Sequence, residues 1–307
     1  PREARWECVD NGDGWTGLLH VKVDVASKLK RALVAIEKEN SQLDGVLKNI
    51  DFAKKVKNKQ IITNERLVQL IWHFNKHKLT NDNFVFPDLL GAAYEYMIKN
   101  FADSAGKKGG EFYTPTSVVK TLVDMIEPYQ GRVYDPCCGS GGMFVQSEKF
   151  VEDHQGKVEN LSIYGQEMNS TTWKLCKMNL AIRGLDANLG PHHDDTFHHD
   201  LHKTLKADYI LANPPFNISD WGGNQLTDDV RWKFGIPPAG NANYAWLQHM
   251  VYHLAPNGSA GIVLANGSLS TNTSNEGEIR KNLLEGDMVD AIVALPDRLF
   301  YSTGIPV

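Results

Sequence analysis

Arg132-Val133-Tyr134-Asp135-Pro136-Cys137-Cys138-Gly139-Ser140-Gly141-Gly142 decides how the rest of the chain is read. Arg132–Asp135 reads as a strand that breaks into a glycine-rich turn, and a helix is predicted from Gly142 towards Asp153. Working outward, strands are predicted at Ser162–Glu167, Asp208–Ala212, Ser259–Ala265 and Met288–Ala294. Helices fall between and before them, at Thr116–Glu127, Thr171–Arg183, Tyr244–Leu254 and Gly277–Leu284. This alternation predicts an α/β fold, doubly wound around a mostly parallel sheet. Such sheets collect ligands beyond the carboxyl ends of their strands, which is where the distinctive motifs of this chain lie.

Upstream the pattern changes. To about residue 103 the signals are helical: Val25–Glu39, Asn64–His77 with Asn64 placed to cap, and Pro87–Phe101 with Pro87 at a helix start. None of these elements reads as a strand. The segment Ala105-Gly-Lys-Lys-Gly-Gly110 is a glycine-rich, basic connector. The expected organisation is a helical N-terminal domain over 1–104 and an α/β domain over 105–307.

Composition narrows the function. A chain of 307 residues with 42% hydrophobic residues can bury a sizeable core. No apolar run approaches the ~18–20 residues that span a bilayer, so no membrane role is expected. The opening PREARWECVD lacks the pattern of a signal peptide, and a cytoplasmic setting is expected. The net charge of −5 argues against autonomous high-affinity binding to nucleic acid; if DNA is the substrate, a partner supplies positive charge. Cys8, Cys137, Cys138 and Cys176 form no CxxC pair, which argues against a disulfide scaffold or a structural zinc site.

Three motifs carry candidate chemistry. The loop from Asp135 and Pro136 through Gly139, Ser140, Gly141 and Gly142 lets backbone approach a ligand, and the following helix offers free N–H groups. It lacks the lysine of a phosphate-binding loop and the spacing of a dinucleotide fingerprint, so a simple tight turn stays open as a reading. Glu167, at the end of the next strand, suits the two hydroxyls of a ribose; a solvated strand-end glutamate is the alternative. The third is Asn213-Pro214-Pro215-Phe216, after the apolar strand Tyr209–Ala212. Two prolines remove two N–H donors and hold the backbone extended, leaving carbonyl acceptors beside an amide side chain. That set matches a planar exocyclic amine, whose lone pair is delocalised into its ring until acceptors draw on its N–H groups. Phe216 would stack on the base plane of an extruded nucleotide.

Together these residues closely resemble the S-adenosylmethionine-dependent N6-adenine DNA methyltransferases, and among them the modification subunit of type I restriction–modification enzymes. The resemblance covers roughly residues 60–307 and includes Phe86-Pro-Asp-Leu-Leu-Gly-Ala-Ala-Tyr-Glu-Tyr96 in the helical region. It implies a Rossmann-like class I methyltransferase domain. It also implies a cofactor segment at Glu111, Phe112, Tyr113, Thr114, Pro115 and Thr116, a cofactor loop at Asp135–Gly142, a ribose-binding Glu167 and a catalytic Asn213–Phe216. Asp195, followed by Thr196, would meet the cofactor's adenine. The implied partners are double-stranded DNA, a specificity subunit, a second copy of the chain and, optionally, a motor–nuclease subunit. Against the family pattern, the N-terminal domain is expected to be cut short and the last strands to be incomplete at Val307.

Other features weigh less. His192, His193, His198, His199 and His202 crowd together with Asp194, Asp195 and Asp200, but no spacing matches a zinc motif and no metal site is expected. Lys54, Lys55, Lys57 and Lys59 read as a solvated face, and Cys137 and Cys138 as small buried loop residues. Asn217–Asn243 is expected to be a mobile loop on the substrate side. Competing readings are a protein-glutamine methyltransferase, which favours tyrosine after the prolines, and a cytosine-N4 enzyme, which usually has serine at the Asn213 position. A non-catalytic assembly subunit is a third.

Overall fold

The computed structural model describes residues 15–76, 89–105, 114–300 and 305–307. It divides into two units, one running to Tyr96 and including Lys177–Asp186, the other made of Met97–Cys176 and Ala187–Val307.

In the first unit, helices α1 (Trp15–Leu19), α2 (Val25–Glu39) and α3 (Asn64–Asn75) bury Leu18, Val25, Ala26, Ala32, Leu67 and Ile71 in one core. Helix α2 matches its expected bounds. Helix α3 is capped by Thr63 rather than Asn64: the Thr63 side chain accepts from the Arg66 N–H at 3.4 Å, and Asn64 is already helical. The turn after α2 is organised by Glu37. Its buried carboxylate accepts from the N–H groups of Gly45 (2.9 Å), Leu47 (2.7 Å) and Lys48 (2.7 Å). A hairpin that the sequence did not suggest pairs β1 (Lys55–Val56) with β2 (Lys59–Gln60). Its turn residues, Lys57 and Asn58, both take positive φ, as a two-residue hairpin of the I′ kind requires. Helix α4 (Leu89–Ala105) follows; Pro87, the expected helix start, lies outside the described residues.

The second unit holds the sheet. Its elements run α5 (Thr116–Ile126), β3 (Gly131–Asp135), α6 (Gly142–Asp153), β4 (Leu161–Gly165), the start of α7 (Ser170–Arg183, which belongs to the first unit from Lys177 on), β5 (Ala187–Asn188), β6 (Ala207–Ala212), α8 (Asn243–His253), β7 (Leu254–Ile262) and α9 (Glu276–Glu285). The strand order is β5-β4-β3-β6-β7, and every pairing is parallel. Side chains alternate across the strands. Tyr134, Ile210 and Ala212 pack with Ala245, Trp246 and Met250 of α8, while Leu122 and Ile126 of α5 press on Gly261 of β7. Arg132 holds the starts of β3 and β6 in register through Asp208, Nε to Oδ2 at 2.9 Å. The doubly wound expectation therefore holds, with one correction. Residues 288–294 form no strand; Ile292 and Val293 are exposed, and among the described residues β7 is laddered only to β6.

Candidate active site

Three strand ends meet at one edge of the sheet. Asp135 pairs with Gly165 across β3 and β4, and Tyr134 with Ile210 across β3 and β6. The strand order reverses direction between β3 and β6, so the crevice beyond them is the ligand position of a doubly wound sheet.

Asp135 closes β3. Its buried carboxylate accepts from the Cys137 N–H at 3.0 Å. Burial pushes its pKa up to about 7, and the negative charge of Glu167 acts in the same direction. The loop is stitched to the end of β4. The Gln166 N–H donates to the Asp135 carbonyl, and the Cys138 N–H to the Gln166 carbonyl, both at 3.0 Å. Gly139 and Gly141 take φ of +54° and +84°, a left-handed backbone that glycine adopts without steric cost, and Gly141 caps α6. This path turns the Gly139 N–H onto Glu167 Oε2 at 3.1 Å, while the Asn169 N–H donates to Oε1 at 2.7 Å. Burial raises the Glu167 pKa against these backbone bonds. Each oxygen retains acceptor capacity, and the residue is only partly buried. The other loop members fall into place around this bond. The Pro136 carbonyl accepts from Thr196 Oγ1 at 2.6 Å, Ser140 is buried, and Gly142 opens α6 with no atom within 4 Å of where a Cβ would stand.

The segment after β5 laps onto this pair, with the Asp194 N–H donating to the Glu167 carbonyl at 3.1 Å. The Asp195 carboxylate itself serves its own loop, accepting from the Phe197 N–H at 2.9 Å and meeting His198 Nδ1 at 2.7 Å.

Asn213 leaves β6 directly. Its Nδ2 donates to Thr114 Oγ1 at 3.0 Å, whereas its Oδ1 is buried and has no hydrogen-bond partner among the described residues. Pro214 is buried and Pro215 half-buried. Phe216 sits edge-on to Phe300 with ring centres 5.7 Å apart, beside Val118 and Val263. Pro115, buried, caps α5, and Thr116 is exposed on its first turn. Glu111, Phe112 and Tyr113 lie outside the described residues.

Residues 85–307 match the family described as N-6 DNA Methylase. The chain belongs to that family. The chain is 45% identical over 316 residues to the Type I restriction enzyme HindI methylase subunit of Haemophilus influenzae, covering 100% of the present chain and 70% of that protein. It is 46% identical over 226 residues to the MjaIX methylase subunit of Methanocaldococcus jannaschii, covering 72% of this chain and 40% of the relative. Among solved structures, the type I restriction-modification system methyltransferase subunit from Streptococcus thermophilus superposes with a TM-score of 0.79 at 28% identity. That match covers 96% of this chain and 64% of the other. The chain thus spans from two fifths to 70% of the length of these relatives.

Other residues that the motifs did not reveal also shape the site. Gln166, fully buried, donates through Nε2 to the carbonyls of Asp194 (3.2 Å) and His199 (2.9 Å) and accepts from the Leu201 N–H at 3.0 Å. Its signal was an amide directly before a strand-end acid. The stretch Asn217–Asn243 is packed, contrary to the expectation of a mobile loop. Trp221, Arg231, Trp232 and Phe234 are buried, and the Arg231 guanidinium donates to the carbonyls of Thr196 (3.2 Å) and Phe197 (2.5 Å) while pairing with Asp229 at 2.7 Å. Of the clustered histidines, His192, His193 and His199 are exposed and His198 half-buried, whereas His202 turns inward to the Gly165 carbonyl at 2.9 Å. Asp200, His249 and His253 bring their polar atoms within 4.8 Å of one another. Those atoms are engaged: His253 faces Asp200 (2.9 Å) and the Leu205 carbonyl (3.0 Å), and His249 faces Tyr134 Oη (3.1 Å) and Arg231 (3.0 Å).

Proposed function

We propose that this chain transfers a methyl group from S-adenosylmethionine to the N6 amine of adenine in DNA, as the modification subunit of a type I restriction–modification complex in the cytoplasm. The observation that carries the reading is Asn213 Oδ1, a buried acceptor without a partner among the described residues, at the end of β6, beside the loop that β3 and β4 build around Glu167. An unpaired buried acceptor costs about 1–3 kcal/mol, a cost recovered when a substrate N–H reaches it.

The residues present fit the cofactor. Glu167 has acceptor capacity for two ribose hydroxyls, the Asp135–Gly142 loop admits close approach beside open space at Gly142, and the Asp195–Thr196 segment is held against both. When bound, S-adenosylmethionine supplies an electrophilic methyl on a sulfonium whose thioether leaves without acid assistance. Asn213 Oδ1, with carbonyls next to the proline pair, accepts the amine's N–H bonds and draws its lone pair out of the ring as the nitrogen becomes charged. Phe216 holds the base plane after the nucleotide leaves the duplex stack. The net charge of −5 supports a partner that contacts DNA, and the packed 217–243 stretch leaves no room there for a recognition domain. The proposed assembly is therefore two copies of this chain with one specificity subunit on double-stranded DNA, optionally joined by a motor–nuclease subunit.

The test is Asn213→Ala in single-turnover methylation. The variant loses methyl transfer while keeping near-normal cofactor binding, because the lost contact belongs to the reacting amine. Retention of more than a tenth of the wild-type rate overturns the assignment.

A further inference from the structure

We infer that Thr114, which the sequence resemblance places among cofactor contacts, is a positioning residue that tethers the Asn213 amide in place for the target amine. The inference rests on the reading of Asn213 proposed above. A carboxamide is nearly symmetric in shape, and its oxygen and nitrogen can exchange places by a half-turn about one bond. Only one of the two orientations can accept from an exocyclic amine; the other meets it with two N–H donors and stalls the reaction. In the structure Thr114 Oγ1 takes the Asn213 Nδ2 at 3.0 Å, and the atom left buried and unpaired among the described residues is Oδ1. A hydroxyl can accept from the amide nitrogen or donate to its oxygen, so this bond tethers the side chain against rotation, and in the observed orientation it leaves the oxygen for the substrate.

The support of Thr114 suits this task. It directly precedes buried Pro115, whose carbonyl accepts from the N–H groups of Val118 (2.9 Å) and Val119 (3.1 Å) as α5 begins. Helix α5 in turn lies on the sheet, with Val118 in the same apolar cluster as Val263 and Phe300, where Phe216 also packs. A residue 99 positions away in sequence is thus anchored on the element that also packs against the Asn213–Phe216 segment. Misplacement of a reacting group by about 1 Å can cost on the order of 100-fold in rate, so an amide left free to turn should slow the reaction by about 10-fold or more.

The experiment uses the chain assembled with its specificity subunit and DNA, and reads three variants. Thr114→Val keeps the shape and removes the acceptor, Thr114→Ala removes it without crowding, and Thr114→Ser restores it. Single-turnover methylation is measured at saturating S-adenosylmethionine, with the cofactor dissociation constant determined separately by calorimetry. The expected result is a rate loss of about 10-fold or more for Val and Ala, a dissociation constant within about two-fold of wild type, and recovery of most of the rate by Ser. A saturated rate within two-fold of wild type for both Val and Ala overturns the inference. So does a loss that disappears at saturating cofactor, which assigns Thr114 to the cofactor instead. The underlying reading fails separately: an active Asn213→Ala refutes it, whereas an inactive Asn213→Ala beside normal Thr114 variants refutes only the positioning role.

Discussion

Asp135 and Asp200 are both drawn out of water, and their surroundings drive them in opposite directions. Burial pushes Asp135 up to about 7 against the hydrogen bonds from Cys137. Burial acts the same way on Asp200, but the hydrogen bond and charge of His253 outweigh it and hold the carboxyl at about 2. For Asp135 the folded pKa lies above the unfolded one, so its contribution to stability is full below about pH 4 and is lost as pH rises to 7. Asp135→Asn keeps an oxygen for the Cys137 N–H and removes that loss. The melting-temperature gain of the variant should be near zero at about pH 3 and largest at about pH 8, corresponding to at most about 4 kcal/mol. A gain independent of pH contradicts the account. Glu167→Ala should weaken S-adenosylmethionine binding by ~1.5–3 kcal/mol, the scale of a hydrogen bond to a charged group. Calorimetric titration checks this, and an unchanged dissociation constant would move the ribose contact elsewhere. Asp135, Glu167 and Asn213 were readable in the sequence because each stands at the end of an apolar strand run. The bond from Asn213 to Thr114 was not, because it depends on how α5 lies against the sheet.

At the scale of elements, hydrophobic periodicity located the helices and central strands to within a few residues, and failed where pairing partners decide. Strand β7 begins at Leu254, although Pro256-Asn257-Gly258 looks like a turn; the irregular register opposite Ala207 and Tyr209 accommodates them. Residues 288–294 have a strand's composition but no ladder. The β1–β2 hairpin is two residues per strand with its lysines exposed, so burial left no periodic mark on it. The 217–243 stretch looked like an open loop because its polar and glycine residues are frequent, while its buried aromatic residues pack beside one buried cation, Arg231. Arg231→Met would leave the carbonyls of Thr196 and Phe197 without the guanidinium donor and the Asp229 carboxylate with only the backbone N–H of residue 231. A loss of about 3–5 kcal/mol in denaturant unfolding is expected, as for a buried ion pair broken on one side. A change below 1 kcal/mol would show that the stretch does not rely on this residue.

At the scale of the whole molecule, a net charge of −5 bears on how the chain reaches its substrate. Phosphate contacts provide most of the affinity for DNA, and extruding a base costs a few kcal/mol. The proposal assigns both to a specificity subunit and keeps the chemistry in this chain. The most direct measurement combines the two. Duplex DNA is incubated with methyl-labelled S-adenosylmethionine and this chain, with and without its specificity subunit, at physiological salt, and the digested nucleosides are identified. The account predicts label in N6-methyladenine at a defined bipartite site with the subunit present, and no sequence-selective label without it. Label in cytosine N4 or in protein glutamine, or an equal yield from the Asn213→Ala assembly, would contradict it.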